Sequence, residues 1–494
     1  MRQLAVAKQE QAPALQKKTT KQEQAPALQK KTTMKRVHFI GIGGSGLSAI
    51  ARLLKESGYE VTGSDRELSQ FAVDLQNDGV SVYIGHHPRN VGGAEFVIRS
   101  SAIADDNPEV IAAKNAGIPV YKRSDYLGQL MANKTGIAVA GTHGKTTTTA
   151  MIAWTLYEMG RDPSFIVGGT LNNLKVNARS GQGDPFVIEA DEYDRMFLGL
   201  KPQIEVITNL EHDHPDCYPT FEDMYAAFQS FVDLLPPDGT LIASAEDEGA
   251  ATLLSHARRK GLNVVSYSVQ GEMTINSPQW MQARTLKPNE VGGYDFSVMT
   301  NMGAASASIL DVSLRVPGEH NVRNALAALS VVAILGLPIQ QAADALSEFT
   351  GTGRRFEVRG ERKGVTVVDD YAHHPTEIRA TLAGAKARYP NRRIWAVWQP
   401  HTYSRTQTLF FEFSRAFADA NEVLVTEIYA SREAKQEFSS AEVVSAMPHA
   451  SARYTGSLED TKNYLLKHLR SGDVLLVLSA GDADQISAHI LKEL

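Results

Sequence analysis

Cysteine occurs once in the 494 residues, at Cys217. That excludes an internal disulfide and any cysteine-built zinc cluster, and it fits a reducing compartment. Long apolar runs are missing as well. None approaches the roughly 18 residues needed to span a bilayer, and the opening residues lack the apolar core of a secretory signal. A cytoplasmic protein is the expectation. Excess charge of either sign is also absent: 50 Lys and Arg stand against 56 Asp and Glu, so no nucleic-acid surface is implied and small-molecule partners are expected. With 43% hydrophobic residues the chain is not broadly disordered, and its length allows about three domains.

The first 33 residues stand apart. KQEQAPALQKKTT at 8–20 recurs letter for letter at 21–33. Two copies of a Gln- and Lys-rich segment hold too little apolar surface to offset ordering entropy, and they are too few to stack as a solenoid. Residues 1–33 are expected to be a disordered duplicated tail, with a lysine-rich docking tail as the alternative. Met34, directly before the first strand-like run, is a candidate natural start.

The remainder reads as α/β in three units, 34–133, 134–350 and 351–494. The first opens with VHFI (37–40), GIGGSG (41–46) and a helical pattern closing on Gly58. Gly41, Gly43 and Gly46 make G-x-G-x-x-G, with Gly44 and Ser45 inside it, and such a turn lets backbone N–H groups approach a pyrophosphate. Asp65 ends the next strand where a dinucleotide fold places its ribose-binding acid. On these residues alone the motif suggests NAD, and a tight strand-to-helix turn without a ligand is the alternative.

The second unit is more specific. TGIAVA (135–140) runs into GTHGKTTTT (141–149) and a helix. Gly141, Thr142, His143 and Gly144 can wrap phosphates with backbone amides, Lys145 supplies a point charge, and Thr146, followed by Thr147, can ligate Mg²⁺. Val139 stands where such loops usually begin with glycine. PFVIEADEYD (185–194) places Glu189 at a strand end before Asp191, Glu192 and Asp194. IEVITNLEHDHPD (204–216) ends in Glu211, His212, Asp213, His214 and Asp216. Strand C-termini of a parallel sheet share an edge with the phosphate loop, so both clusters should converge on a nucleotide and hold hard cations there. Asp191, Asp194 and Glu222 also read as helix caps, and His212-x-His214 lacks an evident third zinc ligand nearby. In the third unit, strand ends carry Asp369, Asp370, His373, His374, His401 and Arg405, a second polar edge.

GTHGKTTTT, EADEYD, NLEHDHPD, PGEHNVRNALAA, GTGRRFE, DDYAHHPTE and QPHTYSRT, in this order, resemble the Mur ligase family over residues 34–494. The resemblance implies three domains: an N-terminal Rossmann-like domain, a central P-loop ATPase-like domain and a C-terminal Rossmann-like domain that helps bind an amino acid. It assigns GIGGSG and Asp65 to a UDP-sugar rather than a dinucleotide. It further implies that Lys145 and Thr146 bind ATP phosphates and Mg²⁺, that Glu189 and His214 hold metal, and that His320, Asn321, Asn324 and Arg355 line the ATP site. Tyr371, His374, His401 and Arg405 would lie near the amino acid. GIGGSG, the histidine of GTHGK, DDYAHHP and QPH resemble the branch that joins L-alanine to the carboxylate of UDP-N-acetylmuramate through an acyl phosphate, an early step toward a cell-wall peptide. EADEYD also occurs in a recycling branch that attaches a whole tripeptide. Rivals of other classes are an NAD-dependent oxidoreductase with an accessory ATPase unit and a catalytically silent UDP-sugar sensor.

Overall fold

The structure, a computed structural model, describes residues 35–269, 277–302, 308–431 and 433–494. The tail expected over 1–33 lies outside the described residues. Three β-sheets follow one another along the chain.

The first sheet holds β1 (Arg36–Ile40), β2 (Glu60–Asp65), β3 (Ser81–Ile84), β4 (Phe96–Arg99) and β5 (Val120–Lys122), all parallel, in the order β3-β2-β1-β4-β5. Strand order reverses beside β1, so the loops after β1 and β4 diverge and leave a crevice at the carboxyl edge. GIGGSG sits there, leading into the helix Ser45–Glu56.

The second sheet contains β6 (Thr135–Ala140), β7 (Ser164–Leu171), β8 (Val176–Arg179), β9 (Pro185–Glu189), β10 (Ile204–Ile207), β11 (Thr240–Ser244), β12 (Asn263–Val269), β13 (Gln279–Pro288), β14 (Tyr294–Thr300) and β15 (Ser308–Ser313). Its order is β15-β14-β13-β12-β11-β10-β6-β9-β7-β8, so β6 lies between the two acidic strands β9 and β10. Strands β13 to β15 extend this parallel core as an antiparallel meander. From Thr146 to Leu156 the helix Lys145–Glu158 is buried at every residue, so it is covered on all sides by the sheet and the helix Glu319–Ile334. Trp154 anchors it, its Nε1 donating to the Ala345 carbonyl at 2.8 Å. One residue of β10 breaks the apolar rule. Glu205 is fully buried and neither carboxylate oxygen has a hydrogen-bond partner; burial, with Asp233 adding, raises its pKa well above its ordinary value, which favours the protonated form.

The third sheet holds β16 (Glu357–Arg362), β17 (Val365–Asp370), β18 (Ile394–Gln399), β19 (Glu422–Thr426), β20 (Ala452–Gly456) and β21 (Val474–Ser479), in the order β16-β17-β21-β18-β19-β20. Only β16 is antiparallel to its neighbour. The run VLLVLS of β21 is buried throughout, as a strand between covered faces requires. Among the described residues no helix is long and apolar enough to cross a membrane.

Candidate active site

The loop after β6 is held open by side chains of the β10 loop. His143 N–H donates to Asn209 Oδ1 at 2.9 Å, Thr142 Oγ1 donates to the Glu211 carbonyl at 2.9 Å, and Thr208 Oγ1 donates to the His143 carbonyl at 2.6 Å. Gly144 caps the helix with φ +80°, a left-handed conformation that glycine adopts without strain, and a Cβ there would stand 2.8 Å from Asn324 Oδ1. The first N–H groups of the helix, from Lys145 to Thr147, face the loop, the arrangement that favours an anion.

Glu189, at the end of β9, accepts from Thr146 Oγ1 at 3.0 Å and from Gly168 N–H at 2.7 Å. Burial raises its pKa despite the Lys145 charge, so the site favours a further cation beside it. Thr146 and Glu189 together offer closely spaced oxygen donors that fit a hard ion such as Mg²⁺. Lys145 Nζ donates to the carbonyls of Gly141 (2.6 Å) and Thr142 (3.1 Å) and to Glu192 Oε1 (2.8 Å). Burial opposes its charge, but Glu192, joined by Glu189 and Asp191, outweighs burial and raises the pKa. His214, with φ +55°, points Nε2 toward Glu192 at 3.6 Å and Asp213 at 3.7 Å.

A cavity lies between the second and third sheets. His143, Gly144, Thr146 and Thr147 form its floor, His320, Asn321 and Asn324 one wall, and Arg355, Thr376 and Glu377 the opposite wall from the third sheet. His320 is kept neutral, its pKa lowered to about 4 chiefly by burial and then by Arg323 and Arg355. Asn324 Nδ2 donates to Asn321 Oδ1 at 3.0 Å, and Asn321 Nδ2 in turn donates to the Pro317 carbonyl at 2.7 Å. The two sheets touch directly here. Thr376 Oγ1 donates to Glu211 Oε2 at 2.8 Å and His143 Nδ1 lies 3.3 Å from Glu377 Oε1. Burial would lower the His143 pKa, but Glu211 and Glu377 hold it up at about 9.

Beside this cavity the third sheet presents a histidine and arginine cluster. Arg405 is 5% exposed, and its Nε and Nη2 both donate to Asp213 Oδ1, at 3.0 and 2.9 Å. His401 Nδ1 stands 3.2 Å from Arg405 Nη1, and the His401 ring stacks on Tyr429. Tyr371 lies under the guanidinium groups of Arg354 and Arg355, at 5.2 and 5.1 Å. His374 caps the helix Pro375–Arg388, its ring centroid 4.6 Å from that of His143.

In the first sheet, Gly43 N–H donates to Asp65 Oδ2 at 2.8 Å and Ser69 Oγ donates to the Gly43 carbonyl at 2.7 Å. A Cβ at Gly43 would stand 2.9 Å from both side chains. Asp65 thus ties its own glycine loop, and its other oxygen accepts from Arg66 N–H, a different employment from the ribose contact expected of a dinucleotide fold. Arg123 lies over Gly46 and reaches Asp191 at 3.8 Å.

Three matches to known proteins span this architecture. Residues 36–135 match the Mur ligase family, catalytic domain, residues 139–332 the Mur ligase middle domain, and residues 354–481 the Mur ligase glutamate ligase domain. The chain belongs to the Mur ligase family. Among curated Mur ligases it is 43% identical over 461 residues to the UDP-N-acetylmuramate–L-alanine ligase of Renibacterium salmoninarum, covering 93% of this chain and 96% of that one. Its identity to the enzyme of the same name from Clostridium acetobutylicum is 40% over 464 residues, 93% and 98% of the two chains. Among solved structures, the UDP-N-acetylmuramate-alanine ligase of Thermotoga maritima superposes with a TM-score of 0.76 at 28% identity, covering 92% of this chain and 98% of that one. A murein peptide ligase from Psychrobacter arcticus gives 0.69 at 27% identity, covering 93% and 98%.

Several residues of this Mur ligase site carried no individual role in the sequence reading: Glu192 and Asp213 stood only among the acids at two strand ends, and Thr376, Glu377 and Arg123 were not named. Glu192, 1% exposed, is the ion-pair partner of Lys145. Asp213 occupies Arg405, and Thr376 and Glu377 close the cavity from the third sheet. Arg123 covers the glycine loop. All but Arg123 lie within the motifs already quoted, so the available signal was each motif's remaining polar residues.

Proposed function

We propose that this Mur ligase uses ATP to join L-alanine to the carboxylate of UDP-N-acetylmuramate. The observation that carries the reading is the cavity in which the phosphate loop, with Thr146 of the oxygen-donor pair, meets residues of the third sheet; its substrate assignment is supported by the two curated relatives of that name.

In this reading a carboxylate oxygen of the muramate attacks the γ-phosphorus, giving an acyl phosphate and ADP. The alanine amine then attacks the acyl carbon, phosphate departs from the tetrahedral intermediate, and the amine proton passes to solvent. Mg²⁺, when bound, neutralises phosphate charge; Thr146 and Glu189 would hold it, with His214 as the proposed second holder. Lys145 exchanges Glu192 for a phosphate oxygen, and the helix N-terminus supplies N–H donors where negative charge builds up. Asn321, Asn324, His320 and Arg355 orient the nucleotide. Tyr371, His374, His401 and Arg405 would receive the amino acid, while Gly41, Gly43, Gly44, Ser45, Gly46 and Asp65 would shape the UDP-sugar loop. The proposed domain limits are 34–133, 134–350 and 351–494, and the lone Cys217 is compatible with a cytoplasmic location.

The test is ADP release with UDP-N-acetylmuramate and each of several amino acids, together with a murein tripeptide. Turnover with L-alanine is expected. Preference for the tripeptide would move the chain to the recycling reaction, and nicotinamide fluorescence changing at GIGGSG without ADP release would restore the oxidoreductase reading.

A further inference from the structure

Away from the Thr146 and Glu189 pair, the structure gathers a second set of metal-capable groups. One ligand atom from each of His143, Glu211 and His374 lies within 4.8 Å of the other two. His143 Nε2 is 3.3 Å from Glu211 Oε2, and His374 Nδ1 is 3.7 Å from the same oxygen. A tetrahedral ion with ligand bonds of about 2.0–2.1 Å sets its ligand atoms roughly 3.3–3.4 Å apart, so these two edges need only small side-chain shifts. An outer contact is in place too. His143 Nδ1 faces Glu377 Oε1 at 3.3 Å, the carboxylate-to-histidine arrangement that orients a metal-bound ring. His374 is 5% exposed; its Nδ1 accepts from Thr376 N–H at 3.3 Å, a long contact that the ion would replace, while Nε2, on the other edge of the ring, is enclosed without a hydrogen-bond partner.

We propose that His143, Glu211 and His374 form a site for one divalent transition ion, with Zn²⁺ the best match to two nitrogens and a carboxylate, and with the remaining position open to the cavity. The site is chemically distinct from the Thr146 and Glu189 oxygens, which suit a hard ion. On binding, the ion takes the place of the proton between His143 and Glu211, which passes to solvent. His143 belongs to the phosphate loop and His374 to the third sheet, so the ion ties the two together and slows nucleotide exchange. That last consequence rests on the ATP reading; the binding itself does not.

The test uses the full chain, stripped with a chelator and titrated first with Co²⁺ alone, read by its visible absorption bands, and then with Zn²⁺ by calorimetry. One ion per chain is expected. His374→Ala and Glu211→Gln should each weaken Zn²⁺ binding at least tenfold, Glu377→Gln about 10–100-fold, and Glu189→Gln should leave it unchanged, with melting temperatures showing that each variant is folded. Should His374→Ala fail to fold, His143→Asn replaces it. No stoichiometric Zn²⁺ binding, unchanged affinity in the folded ligand variants, or loss in Glu189→Gln instead would overturn the site. Absent ADP release would sink the ligase reading while leaving these titrations unaffected.

Discussion

Arg405 and Asp213 make the sharpest quantitative test of how the second and third sheets are joined. Both side chains are 6% exposed, and two guanidinium nitrogens converge on one carboxylate oxygen at 2.9 and 3.0 Å. Burial pushes the Asp213 carboxyl up, but Arg405 and the nearby His214, His373 and His374 outweigh it and hold the group well below its ordinary range. Removing one member of such a pair leaves an uncompensated buried charge, so Arg405→Met and Asp213→Leu are each expected to cost about 3–5 kcal/mol. Replacing both removes both charges, and the double variant should recover most of that loss, a coupling of at least about 2 kcal/mol. Urea denaturation followed by tryptophan fluorescence measures the cycle. The pH dependence supplies a second check: a depressed carboxyl stabilises the fold above its unfolded pKa, about 3.9, and that contribution disappears as pH falls through the folded value. The variants lacking Asp213 should not show this acid loss. If the two single changes add to within about 0.5 kcal/mol, the pair carries no coupling and the argument fails. Under the proposed function, the stable double variant should still show a raised KM for L-alanine.

Three further outcomes follow from the same geometry. Glu189→Gln should lower kcat for ADP release with little change in KM for ATP, because the residue acts on charge that develops in the reaction; an effect confined to KM would assign it to ground-state binding. Gly144→Ala places a side chain at φ +80° and 2.8 Å from Asn324 Oδ1, so a stability loss of about 1–2 kcal/mol together with slower turnover is expected from melting and kinetic assays. Glu205→Met removes an unpaired buried carboxyl and should stabilise the protein at neutral pH by about 1–3 kcal/mol. Since the folded pKa of Glu205 is raised, its favourable contribution is complete below about pH 4.3 and is lost as pH rises toward the folded value, so the gain from Glu205→Met should shrink in acid.

The sequence makes local chemistry legible and contacts between lobes much less so. GTHGKTTTT sits between two strands whose ends carry acids, and the sheet order places β6 between β9 and β10 as that pattern requires. The partner of each charge was harder to read. Glu192 was visible as one acid among four in EADEYD, yet its role toward Lys145 depends on how the loop after β9 folds back. Asp213 and Arg405 are 192 residues apart, and no periodicity links them. For Asp65 the spacing from the glycine motif gave no sign of its bond to that motif, in which its carboxylate accepts from Gly43 N–H. The meander of β13 to β15 lay in segments from which no strand had been drawn.

The place of β21 has a consequence for the order in which this molecule can come into being. Among the described residues it is the last strand along the chain, yet it lies in the middle of its sheet, between β17 and β18. Until residues 474–479 have left the ribosome, β17 and β18 have no strand between them, and the wall that carries Thr376 and Glu377 lacks its support. Asn324, which packs against the phosphate loop, and Val474 are 150 residues apart (474 − 324), a gap that translation at about 5–20 residues per second crosses in roughly 8–30 s. Through that interval the phosphate loop is finished while its opposite wall is not. A nascent chain halted before Val474 would therefore carry the phosphate loop without the supported wall that faces it.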